Sequence, residues 1–75
     1  MTTLSIHALW SDDSKVWIAT SDDVPGLCVQ ADSFDELVTI STDFIPDLLN
    51  LNHVVTQAPI TLCFVTEYKK QLAAA

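Results

Sequence analysis

Val16 to Leu37 reads VWIATSDDVPGLCVQADSFDEL, and this stretch decides the fold. Lys15 to Ser21 is short and rich in β-branched and aromatic residues, the composition of a half-buried strand. Asp22-Asp23-Val24-Pro25-Gly26 interrupts it. Pro25 fixes φ near −65° and Gly26 tolerates positive φ, so the pair predicts a type II turn. Leu27 to Ala31 resumes as a strand. Ser33-Phe34-Asp35-Glu36 then has the form of a capping box. The Ser33 hydroxyl accepts from the Glu36 backbone N–H, and the Glu36 carboxylate reaches back to the Ser33 N–H.

Upstream, Leu4, Ile6, Ala8 and Trp10 alternate with Ser5, His7 and Leu9, which predicts a first strand. The cluster Ser11-Asp12-Asp13-Ser14 predicts a hairpin turn into the second. Downstream the period becomes helical. Phe34, Leu37, Val38, Ser41, Phe44, Ile45 and Leu48 form one apolar stripe, predicting a helix from about Phe34 to Asn50 that kinks at Pro46, the alternative being an end near Ile45 and a last turn through Leu51. Asn52 to Pro59 is a connection, and Ile60 to Tyr68 alternates as a fourth strand. Lys69 to Ala75 reads as a short tail, frayed or briefly helical.

The predicted class is α+β, in the order β-β-β-α-β. Three strands form an antiparallel meander, and a right-handed crossover lays the fourth beside the first, in sheet order 3-2-1-4. One helix covers one face only. The second strand mixes apolar residues on both sides, so the face it buries is open. The reading taken here leaves Leu9, Trp17, Ala19, Cys28, Cys63 and Val65 on the uncovered face as a protein interface, the reverse set being the alternative. An apolar open face invites a partner, and a homodimer or higher homo-oligomer is expected.

Seventy-five residues form one domain, with a core expected over about residues 4–68. Hydrophobic residues make up 49% and charged residues 17%, more apolar material than so small a monomer hides easily. Ten acidic residues oppose Lys15, Lys69 and Lys70, giving a net charge of −7. That balance disfavours direct binding to nucleic acid, which draws on Lys and Arg against phosphates, and disfavours anionic membranes. It suits a basic protein partner. Met1-Thr2-Thr3 lacks the basic start of a signal peptide, and no apolar run is long enough to cross a bilayer. A cytoplasmic protein with buried, reduced Cys28 and Cys63 is expected.

Catalytic chemistry finds little support. Cys28 and Cys63 have no neighbouring zinc ligands, and His7 and His53 stand apart in sequence. Asp12-Asp13 and Asp22-Asp23 occupy turns, where Asp is favoured for backbone reasons. The single glycine, Gly26, excludes a Gly-rich phosphate loop. No enzyme activity, metal or cofactor is expected, a metal-dependent hydrolase using the turn carboxylates being the remote alternative.

Val16-Trp17-Ile18-Ala19-Thr20, Val24-Pro25-Gly26-Leu27, Ala31-Asp32-Ser33 and Glu36-Leu37 together resemble the N-terminal domain of the HicB antitoxins. The wording is closest to short uncharacterised relatives that share W-x-A-T-S-D-D-V-P-G-L. The resemblance covers about residues 4–51. It implies a partial ribonuclease-H-like domain without that enzyme's acidic site. It also implies a dimer that binds and masks a small basic toxin of the HicA type, a ribonuclease. Ala31 replaces a glycine frequent in that family. HicB antitoxins continue into a DNA-binding domain, which is not expected here. The alternative expectation is a stand-alone oligomeric module with no toxin partner.

Overall fold

The structure, a computed structural model, describes residues 1–68, 72 and 73; the rest of the expected tail lies outside the described residues. Strands β1 (Thr2–Ser11), β2 (Val16–Thr20) and β3 (Cys28–Ala31) precede helix α1 (Phe34–Leu51) and strand β4 (Ile60–Glu67). The sheet order is β3-β2-β1-β4. Neighbours in the meander are antiparallel, and β4 runs parallel to β1. The expected class and strand order are therefore present.

The first turn closes on the pair Ser11↔Val16, with Asp12 to Lys15 as the connection. That closure sets which face of β2 is buried. Residues paired across antiparallel strands share a face. Ala8↔Ala19 and Trp10↔Trp17 thus put Ala19 and Trp17 on the side of Leu4, Ile6 and Ala8, which are all buried. Here the structure corrects the expectation. Ala19 is 0% exposed, and half-buried Trp17 packs against the core. Val16, Ile18 and Thr20 face outward instead. A row of rings crosses the helix side of the sheet. Trp10 meets Trp17 at 5.7 Å between centroids, Trp17 meets Phe34 at 5.4 Å, and Phe34 meets Phe64 at 6.4 Å.

Helix α1 starts as its sequence predicts: the Ser33 hydroxyl accepts from the Glu36 N–H at 3.2 Å. The reciprocal bond from Glu36 to the Ser33 N–H is not among the hydrogen bonds of the described residues. The helix buries Leu37, Ser41, Ile45 and Leu49, an i, i+4 series. Phe44, expected in this stripe, is instead 53% exposed, because it lies on the flank that overhangs the four-residue edge strand β3. Pro46 lies inside the continuous helix and denies the Thr42 carbonyl its usual N–H partner. The hydroxyls of Thr39 and Thr42 donate to the Asp35 and Val38 carbonyls on the same turn-back pattern. Fully buried Ser41 Oγ has no hydrogen-bond partner. An unsatisfied buried hydroxyl costs about 1–3 kcal/mol, so Ser41→Ala is expected to raise the urea midpoint correspondingly.

The helix ends in a Schellman motif without a glycine. The Val54 N–H donates to the Leu49 carbonyl at 2.9 Å and the His53 N–H to the Asn50 carbonyl at 3.2 Å. This places His53 in the left-handed region, at φ 55°. A side chain there is strained relative to glycine. His53→Gly is therefore expected to gain about 0.5–1 kcal/mol, seen as a higher thermal midpoint with unchanged fold.

Candidate functional site

Sheet parity puts Leu9, Ile18, Val65, Cys28 and Cys63 together on the face opposite α1. Leu9 is 51% and Val65 48% exposed. Ser5, His7 and Thr20 intervene between them across the ladders. Of the six residues expected at an open interface, Leu9, Cys28, Cys63 and Val65 lie on this face; Trp17 and Ala19 do not. The cysteines are free and exposed rather than buried. Their apolar neighbours in sequence belong to the other side of each strand, so burial of those neighbours leaves the thiols outside.

Of the acidic turn residues that suggested a metal, Asp23 has a backbone partner. Asp23 Oδ2 accepts from the Ser5 N–H at 2.8 Å. The Ser21 hydroxyl donates to the Ser5 carbonyl and accepts from the N–H groups of Asp23 and Val24, at 3.0 and 3.2 Å. β2 ends at Thr20, opposite His7, so Ser5 has no strand partner on that side. The two side chains supply the missing ladder bonds. Asp12 pairs with Lys15 at 3.0 Å in the other turn. Among the described residues, no three His, Cys, Asp or Glu side chains are grouped to hold a metal ion. No helix among them is long and apolar enough to cross a membrane.

The Pro25-Gly26 turn has the type II form expected of it, with Leu27 N–H bonded to the Val24 carbonyl at 3.2 Å and Gly26 at φ 81°. It docks on the end of α1. Asn52 Nδ2 donates to the Pro25 carbonyl at 3.3 Å and to the Leu48 carbonyl at 2.8 Å. This docking holds α1 off the β3 edge and opens a groove that periodicity did not reveal. It is lined by Gly26 to Gln30 along the strand and by Ile40, Phe44 and Leu48 along the helix, and its volume is about 380 Å³. Glu36, Asp43 and Asp47, all exposed, flank these apolar helix positions at one-, three- and four-residue steps. α1 carries no basic residue to offset them. The arrangement is an apolar trough with an acidic rim beside a strand edge that no other strand of the described residues pairs with. It suits an extended segment that adds backbone hydrogen bonds to β3, inserts an apolar side chain and offers basic flanks.

The model of a family described as a domain of unknown function (DUF1902) matches residues 3–74. Among solved structures, the chain is similar to hypothetical protein TTHA1013 from the extremely thermophilic bacterium Thermus thermophilus. The TM-score is 0.85 at 36% sequence identity, over 93% of this chain and 99% of that one. No curated protein matches the chain significantly.

Proposed function

The chain belongs to the family described as a domain of unknown function (DUF1902), and on that footing we propose that it is a non-enzymatic protein-binding module for a small basic protein. The specific form of the proposal is a HicB-like antitoxin domain of the cytoplasm, which binds and masks a basic HicA-type ribonuclease toxin. The observation that carries it is the acidic-rimmed apolar groove between α1 and β3. The net charge of −7 and the HicB-like wording of residues 16–37 support it.

Electrostatic steering makes the rim a matter of rate as much as affinity. The test is co-expression with the product of a neighbouring small open reading frame. Relief of its toxicity, together with a purified stoichiometric complex, is the expected result; no complex and no relief would remove the reading. Within such a complex, replacing Glu36, Asp43 and Asp47 together by lysine is expected to slow association about tenfold or more at low salt. The difference should shrink as salt screens the rim. Stopped-flow binding across ionic strengths checks this, and an unchanged rate would move the contact away from the groove.

A further inference from the structure

The opposite edge of the sheet has the contrary character. β4 is the terminal strand beyond β1, and its eight residues pair with Thr2 to Leu9 without a bulge. Among the described residues no strand pairs with its outer edge. Natural edge strands are blunted by lysines, prolines, bulges or shortness. Ile60 to Glu67 has no lysine, proline or bulge within it, and its one charge is at the end. The helix residues that line a groove with its first half are uncharged as well. Thr42, Ile45, Pro46 and Leu49 line a second groove with Ile60 and Leu62.

A chain with ten acidic residues and three basic ones repels copies of itself over most of its surface. It can meet itself closely only where the acids are missing, and β4 is such a place. We propose that β4 pairs antiparallel with β4 of a second copy, joining the two sheets into one of eight strands. This does not depend on the basic-partner reading, which uses the β3 edge.

Symmetry narrows the register. A two-fold axis perpendicular to the sheet keeps both helices on one side, so each residue must oppose one on the same face. Centring the axis on Cys63 sets Leu62 against Phe64 of the second copy, and Phe64 against its Leu62. Both are half-buried in the single chain and partly covered by the pairing. The two Glu67 side chains then stand about 26 Å apart at 3.3 Å per residue. That is well beyond the Debye length of about 8 Å at physiological salt, so their repulsion is screened. The two Cys63 residues face each other on the open side, within reach of a disulfide.

The full chain, its Cys63→Ser variant and its Cys28→Ser variant provide the test. Light scattering at tens of micromolar should give twice the 8.2 kDa chain mass for all three, because the thiols report the pairing and do not hold it. Diamide takes two electrons and two protons from a pair of thiols. It should link the wild type and Cys28→Ser into disulfide dimers and leave Cys63→Ser unlinked. Leu9→Asp, on the open face, should leave both mass and linkage unchanged. A monomer mass for the wild type overturns the pairing. So does linkage that survives Cys63→Ser, or a dimer that Leu9→Asp dissolves while circular dichroism shows it folded, since either would place the interface elsewhere.

Discussion

Ile6→Ala is expected to cost the domain roughly half its stability. Ile6 is 0% exposed on β1, the strand that carries both β2 and β4. Deleting so many buried atoms costs about 2–5 kcal/mol, the transfer term and the cavity together. Domain stability of about 0.05–0.15 kcal/mol per residue leaves a chain of this length little to lose. The adjacent His7 faces away from the helix and is exposed. His7→Ala is accordingly expected to stay within about 0.5 kcal/mol of the wild type. Urea unfolding followed by tryptophan fluorescence compares the two. A near-normal midpoint for Ile6→Ala would contradict the buried face assigned to β1.

Ser21→Ala is expected to cost about 1–3 kcal/mol although Ser21 is a loop residue. Its hydroxyl serves three backbone groups, two in its own loop and the Ser5 carbonyl on β1. Alanine leaves that partly buried carbonyl without its donor. For a domain of this size each kcal/mol lowers the thermal midpoint by about 4–8 °C. Asp23→Ala removes the acceptor of the Ser5 N–H and acts on the same residue of β1. The two losses should therefore not add, with a coupling of about 0.5 kcal/mol or more in a double-mutant cycle. Strict additivity would mean that the loop and β1 are not clamped together.

That clamp marks the limit of what sequence reading reached. Asp22 and Asp23 were legible as turn residues, since Asp bonds readily to nearby backbone. Which backbone Asp23 serves was not, because Ser5 lies 18 positions away. β1 and β4 were legible because apolar and polar residues alternate along them. β2 was not: Val16, Trp17, Ile18 and Ala19 are apolar without alternation, and only the closing pair Ser11↔Val16 fixes their faces. The helix start was visible in Ser33. Its end, expected at about Asn50, falls at Leu51, but the motif that closes it was hidden, because His53 occupies the left-handed position where glycine is the usual signal. Cys28 and Cys63 misled for a related reason, since a thiol reads as apolar wherever it points.

The candidate groove was less legible still. Ile40 and Phe44 read as helix positions and Leu27 to Gln30 as a strand. Neither pattern says that the two run side by side with a trough between them. The acidic surplus was plain from composition, but its place along that trough depends on how α1 rotates against the sheet.

By itself the sequence determined the Pro25-Gly26 turn, the Ser33 cap, four strands, one helix and the sheet order. These follow from preferences acting over a few residues and from the short connections that leave few topologies open. The tertiary structure decided which face of β2 is buried, what Ser21 and Asp23 hold, and which strand edges stay free. Those outcomes depend on register and on helix docking, where residues far apart in the chain compete for the same partners.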